Sequence, residues 1–268
     1  MGPSEAKILI ADDSRSVQAF LSEIVSRSST PAQILTADNG QQCMELLARG
    51  DIDLAFIDVN MPEMTGPEAI GLARCRGIKT FVTLMSGETS EARLQLAREL
   101  KVYEYLVKPF EPAVVEDILR TFGRVTRPTR ALIVDDSATV RRMIQKILAG
   151  SLFRISSDEA GDGATALVNW FRHGYDIVFL DCNMPGLNGI DTLDQLLTVK
   201  PDARVIMMSG ERNEERRHFA LGRGAIEFLY KPFSPIDVDR TLHKAYELKM
   251  PDLARRDEGW VELAVTAA

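Results

Sequence analysis

Phe56-Ile57-Asp58-Val59-Asn60-Met61-Pro62-Glu63-Met64-Thr65-Gly66 is answered 123 residues later by Phe179-Leu180-Asp181-Cys182-Asn183-Met184-Pro185-Gly186-Leu187-Asn188-Gly189. Each stretch is a short apolar run that ends on an aspartate and passes into a turn. Outward from it, Asp12-Asp13, Ser86 and Lys108-Pro109 recur at the same offset as Asp135-Asp136, Ser209 and Lys231-Pro232. A polar constellation repeated without net insertion or deletion means two copies of one domain, each with a complete acidic site. A period this long indicates tandem globular domains, because solenoid repeats run at roughly 20 to 50 residues.

The chain length agrees. With 268 residues there is room for about two domains of ~100 to 150 residues, each able to bury a core. Hydrophobic content of 45% and charged content of 26% are those of a soluble globular protein. No apolar run nears the ~20 residues a membrane span requires, and no signal-peptide core follows Met1, so the expectation is a cytoplasmic protein without membrane insertion. Of the net charge of −7, residues 1–126 carry −5 and the remainder −2. Neither half has the basic excess of a nucleic-acid binder. Cys43, Cys75 and Cys182 show no CxxC spacing and fit free thiols; His173, His218 and His243 fall in no metal-ligand spacing.

Short apolar runs alternate with stretches of helical period. In the first copy the runs are 7–11, 33–37, 54–57, 81–85 and 103–107; in the second, 131–134, 154–157, 177–180, 205–208 and 226–230. Continuous apolarity suggests strands covered on both faces. Val17, Phe20, Leu21, Ile24 and Val25 form the stripe of an amphipathic helix, and Val140, Met143, Ile144, Ile147 and Leu148 repeat it. Five strand-helix alternations per copy imply an α/β fold, a five-stranded, doubly wound parallel sheet with helices on both faces, built twice in tandem. The expected division is a first domain at 1–123, a linker at 124–130, a second domain at 131–249 and a C-terminal tail at 250–268, whose Trp260, Leu263 and Val265 are candidates to pack back on a core.

In such sheets ligands bind outside the carboxyl ends of the strands, where every repeated polar residue falls. Three crowded carboxylates repel one another unless a hard divalent cation joins them through oxygen ligands. With Mg²⁺ and one lysine the charges cancel. Mg²⁺, a lysine and a hydroxyl are the usual apparatus for holding a phosphoryl group, and a carboxylate is a competent nucleophile for it.

The motifs Ile-Ala-Asp-Asp-Ser, Leu-Met-Ser-Gly-Glu and Tyr-Leu-Val-Lys-Pro-Phe, with their second copies Ile-Val-Asp-Asp-Ser, Met-Met-Ser-Gly-Glu and Phe-Leu-Tyr-Lys-Pro-Phe, join the opening stretch in one resemblance. The sequence resembles two response-regulator receiver domains of bacterial two-component signalling, over about residues 5–123 and 128–249. The resemblance implies a flavodoxin-like fold with Asp58 and Asp181 as phosphoacceptors. It implies Mg²⁺ held by Asp13 and Asp136 directly, by Asp12 and Asp135 largely through water, by the two phosphoacceptors, and by the backbone carbonyls of Asn60 and Asn183. Ser86 and Ser209 take the switch-hydroxyl position, Lys108 and Lys231 pair with the phosphoryl charge before a cis proline, and Tyr105 and Phe228 stand where the switch aromatic is found. Asn60 with Glu88, and Asn183 with Glu211, border the water path in a pairing that resembles the fast-hydrolysing chemotaxis regulator.

Two departures stand out. Gly224-Ala225 matches the family before its fifth strand, but Lys101-Val102 stands there in the first copy, so its fourth helix is expected to end differently. Tyr105 has a hydroxyl that Phe228 lacks. Cys182 also admits a reading as a redox sensor, although no flanking base marks it as a thiolate.

The expectation is a receiver-only response regulator, loaded by a sensor histidine kinase or a histidine phosphotransfer protein and acting through a protein–protein surface. Self-catalysed phosphotransfer and autodephosphorylation are its only chemistry. The 19 residues after Lys249 are too few for an output domain. Phosphorylation is expected to rearrange the two domains or pair the chain with a second copy. The alternative is the N-terminal regulatory receiver pair of a larger enzyme such as a diguanylate cyclase. A haloacid-dehalogenase-type phosphatase would need an acid aspartate where Asn60 and Asn183 stand.

Overall fold

The computed structural model describes residues 5–29, 31–251 and 253, so Trp260, Leu263 and Val265 lie outside the described residues. Two compact units divide between Gly123 and Arg124, and Leu253 belongs to the first, buried in its core.

The first unit runs β1 (Ala6–Ala11), α1 (Arg15–Arg27), β2 (Ala32–Ala37), α2 (Gly40–Ala48), β3 (Leu54–Asp58), α3 (Gly66–Cys75), β4 (Phe81–Ser86), α4 (Glu91–Glu99), β5 (Glu104–Val107) and α5 (Pro112–Val125). All strand pairings are parallel, in the order β2-β1-β3-β4-β5. Alternate residues of β1 feed opposite faces. Ile8 and Ile10 pack with Leu21, Ile24 and Val25 of α1 and with Val115, Ile118, Leu119 and Phe122 of α5. Leu9 and Ala11 join Cys43 and Leu47 of α2, Ala69, Ile70 and Ala73 of α3, and Ala97 of α4. The amphipathic stripe of α1 is thus the seam that buries one face of the sheet.

The second unit repeats the plan: β6 (Thr129–Val134), α6 (Ala138–Gly150), β7 (Ile155–Ala160), α7 (Gly163–His173), β8 (Ile177–Asp181), α8 (Gly189–Val199), β9 (Arg204–Ser209), α9 (Glu214–Gly222), β10 (Glu227–Tyr230) and α10 (Pro235–Ala245). Its parallel sheet has the order β10-β9-β8-β6-β7. Both sheets have the flavodoxin-like strand order. Only residues 126–128 separate α5 from β6, so the segment expected as a linker overlaps the end of one element and the start of the next.

Continuous apolarity marks the inner strands but not the edges. β7 extends through Ser156-Ser157-Asp158-Glu159 to Ala160, beyond the expected 154–157, with alternating burial. It is an edge strand, paired only with β6, and its alternating burial shows one face open to solvent, where polar residues are tolerated.

The fourth helix of the first copy, expected to end differently, ends as its counterpart does, at the equivalent residue and with the same closing hydrogen bonds. After α9, Gly224 has φ +101°, and after α4 the equivalent Lys101 has φ +54°. Both helices therefore end in a left-handed turn, which glycine adopts freely and lysine against its side chain. The turn after β3 and β8 shows the same contrast, with Glu63 at φ 68° and Gly186 at φ 79°.

Candidate functional site

The carboxyl ends of the strands bring the repeated residues together. In the first unit, Asp12 follows β1, Asp58 closes β3, Ser86 closes β4 and Lys108 follows β5. Asp12 and Ser86 are fully buried, and Asp58 is 5% exposed. Lys108 Nζ donates to Asp12 Oδ2 at 2.5 Å and to Asp58 Oδ1 at 2.5 Å. Asp58 Oδ2 accepts the Asn60 backbone N–H at 2.7 Å, and Asp12 Oδ1 accepts that of Ser14 at 3.0 Å. Asp13 stands exposed beside them.

The second unit reproduces this arrangement closely. Lys231 Nζ lies 2.5 Å from Asp135 Oδ2 and 2.7 Å from Asp181 Oδ1, while Asp181 Oδ2 accepts the Asn183 N–H at 2.9 Å. Asp135 and Ser209 are fully buried and Asp136 is exposed. Both Lys-Pro bonds, Lys108-Pro109 and Lys231-Pro232, are cis.

Burial sets the electrostatics. Desolvation holds the carboxyls of Asp58 and Asp181 above the usual carboxylate range, against the lowering effect of Lys108 and Lys231. Desolvation also opposes the charge on each lysine, but the bonds to two carboxylates outweigh it and leave the lysine pKa raised. Each ammonium is therefore a fixed positive charge spanning two buried carboxylates.

Among the described residues, no three His, Cys, Asp or Glu side chains are gathered to hold a metal as they stand. The donor chemistry nonetheless fits a hard divalent cation, being all oxygen, with a desolvated Asp58 or Asp181 and an exposed aspartate at the rim.

Tyr105 and Phe228 are buried, 7% and 6% exposed. The Tyr105 hydroxyl donates to the Glu88 carbonyl at 2.9 Å, and the Phe228 ring lies 5.2 Å from that of Tyr230. Burial pushes the Cys182 thiol up to about 12, with Asp181 adding to the effect, so this cysteine is a poor thiolate and the redox reading loses its chemical basis.

Sequence reasoning missed two features. The glycine closing each opening stretch is required by close approach: a Cβ on Gly66 would lie 2.1 Å from the Asp58 carbonyl oxygen, and one on Gly189 2.1 Å from that of Asp181. The last residue of the quoted repeat was the available signal. Arg93 and Arg216 also reach the site, and their equal spacing from Ser86 and Ser209 carried that information.

The model for the response regulator receiver domain matches residues 8–120 and 131–243. The chain belongs to the response regulator receiver family. Relatives of single-receiver length align with less than half of it. Chemotaxis protein CheY of Thermotoga maritima is 34% identical over 115 residues, 43% of this chain and 95% of the relative. Chemotaxis protein CheY of Bacillus subtilis is 36% identical over 115 residues, with the same two coverages. A solved structure described as a putative two-component system response regulator/GGDEF domain protein matches across both receivers, with a TM-score of 0.63 over 90% of this chain and 100% of that chain. At 23% identity that likeness is one of fold. No helix among the described residues is long and apolar enough to cross a membrane.

Proposed function

We propose that this tandem receiver protein accepts phosphoryl groups on Asp58 and Asp181 from a sensor histidine kinase or a histidine phosphotransfer protein, and signals through a protein–protein surface that phosphorylation alters. The supporting observation is the duplicated site, in which one ammonium joins a strand-end aspartate to a second buried carboxylate beside a buried serine. The division of labour is 1–123 for the first receiver and 131–249 for the second, with 124–130 joining them and 250–268 as a tail.

Asp12, Asp13, Asp58 and the Asn60 carbonyl would hold Mg²⁺ in the first receiver, and Asp135, Asp136, Asp181 and the Asn183 carbonyl in the second. Bound there, the cation offsets charge on the transferred group. A carboxylate oxygen of Asp58 or Asp181 forms the new O–P bond as the bond to the donor breaks. Lys108 or Lys231 holds one side of the phosphoryl charge, and the Ser86 or Ser209 hydroxyl donates to a phosphoryl oxygen. Tyr105 and Phe228 then follow the hydroxyl as switch aromatics.

The output includes pairing, between the receivers or with a second copy, which sedimentation with and without beryllofluoride measures. The regulatory-pair reading, as part of an enzyme such as a diguanylate cyclase, rests on a likeness of fold alone. Mass spectrometry after treatment with a small-molecule phosphodonor and Mg²⁺ tests the main reading. Asp58 should be modified in an Asp181→Asn variant and Asp181 in an Asp58→Asn variant; a folded variant that fails to label removes that receiver from the proposal.

A further inference from the structure

The helix after the serine strand sends an arginine into each site. Arg93 and Arg216 occupy the third position of α4 and α9, and their backbone N–H groups bond the capping side chains of Ser90 and Asn213 at 3.3 and 3.0 Å. Their side chains run back along the first turn to residues at the strand-end rim. In the first receiver Arg93 Nη1 donates to Ser86 Oγ at 2.9 Å, and Nη2 pairs with Glu88 Oε1 at 2.6 Å. In the second, Arg216 Nη1 donates to Asn183 Oδ1 at 3.0 Å and pairs with Glu211 Oε2 at 3.1 Å. Two different site residues are touched by the same repeat position, so the constant element is an arginine at the site rim held by a glutamate.

We infer that Arg93 and Arg216 are phosphoryl-binding residues that couple the site to the first turn of α4 and α9, each exchanging its glutamate for a phosphoryl oxygen when Asp58 or Asp181 is modified. This rests on the proposed phosphoacceptor reading and adds to it a ligand for the product state.

Three observations carry the exchange. Glu88 and Glu211 are weak holders, with side chains 73% and 63% exposed, and exposed ion pairs contribute little. A phosphoryl group adds about −1.5 to −2 charges and three acceptor oxygens, and a guanidinium makes its strongest bonds to such an acceptor. Ser86 Oγ already accepts from Arg93 and from the Glu88 N–H at 3.4 Å, so its own proton remains to be donated. The guanidinium bonded to that hydroxyl therefore neighbours the place of the phosphoryl oxygen the hydroxyl would bind, and a small side-chain movement brings it into contact.

There is also room for the side chain to move. Arg93 lines a cleft of about 340 Å³ with Val59, Leu84 and Tyr105, and Arg216 lines one of about 700 Å³ with Cys182 and Asn183. Because both arginines belong to a helix and not to the strand ends, their capture biases that helix only as far as the two states differ in affinity.

The test measures beryllofluoride affinity by calorimetry with Mg²⁺ in the full chain carrying Asp181→Asn, which isolates the first receiver. Arg93→Gln should weaken binding by about tenfold or more, the low end for a hydrogen bond to a charged group, and Arg93→Lys should recover part of it. Glu88→Gln should tighten binding, since it frees the arginine. Unchanged affinity in Arg93→Gln overturns the inference. So do shifts of the same sign in Arg93→Gln and Glu88→Gln, the outcome expected of an arginine that merely braces α4. If the Asp181→Asn parent binds no beryllofluoride, the phosphoacceptor reading itself falls. Arg216→Gln and Glu211→Gln in an Asp58→Asn chain repeat the test for the second receiver.

Discussion

Lys108 and Asp58 meet at 2.5 Å, and the same ammonium holds Asp12 at 2.5 Å, so one side chain keeps two desolvated carboxylates together. Removing it leaves both facing each other in a site where burial already raises the Asp58 pKa. Lys108→Met should therefore destabilise the first receiver by about 1–3 kcal/mol, and Mg²⁺ should return part of the loss. Urea unfolding with and without Mg²⁺ measures both effects. Equal stability of variant and parent, or indifference of the variant to the cation, would count against this electrostatic account.

The turn after the phosphoacceptor has no space for a side chain. Gly66→Ala would place its Cβ 2.1 Å from the Asp58 carbonyl oxygen and 2.9 Å from Ile57 Cγ2. Gly189→Ala meets the Asp181 carbonyl oxygen and the Cys182 Cα at 2.1 and 2.8 Å. Backbone atoms cannot yield as a side-chain end can, so each variant should lose about 2–4 kcal/mol or fail to fold. Thermal unfolding of each would settle it, a Tm within a degree of the parent being the adverse result.

The second copy reads the backbone of the first. Where Gly186 and Gly224 take positive φ, Glu63 and Lys101 do so too, at 68° and 54°. A left-handed residue other than glycine costs about 1–2 kcal/mol, offset by the greater freedom glycine has when unfolded. Lys101→Gly should stabilise the first receiver by a few tenths to about 1 kcal/mol. Glu63→Gly should act in the same direction, and a fall in Tm for Lys101→Gly would refute the argument.

These contrasts show what the sequence makes legible. The inner strands and the site could be read because a parallel sheet buries both faces, which calls for unbroken apolar runs, and gathers its strand-end residues on one rim. Asp12, Asp58, Ser86 and Lys108 lie where those ends converge. The edge strand β7 was cut short at Ser157 because Asp158 and Glu159 look like loop until one knows that the strand pairs only with β6 and leaves alternate residues exposed. Arg93 and Arg216 escaped notice because long, flexible side chains reach a site several residues away, and a reading based on strand ends does not count the helix that follows.

A buried acid away from the site offers a prediction with a definite pH sign. Asp239 of α10 is 4% exposed, accepts from Ser151 Oγ at 3.1 Å and has His243 Nδ1 3.6 Å from its other oxygen. Burial raises its pKa, against the opposing effects of His243 and Ser151. For an acid whose folded pKa lies above its unfolded one, the favourable contribution is complete below the unfolded pKa of about 3.9 and is lost as pH rises through the folded value. Asp239→Asn, which stays neutral, should match the parent near pH 4 and exceed it at pH 8 by a few degrees in Tm, the scale of about 1 kcal/mol in a domain of this size. Melting curves of both proteins across that range test the sign: a gap that is constant with pH, or a variant less stable at pH 8, would show that His243 and Ser151 hold the charged carboxylate well enough to outweigh its burial.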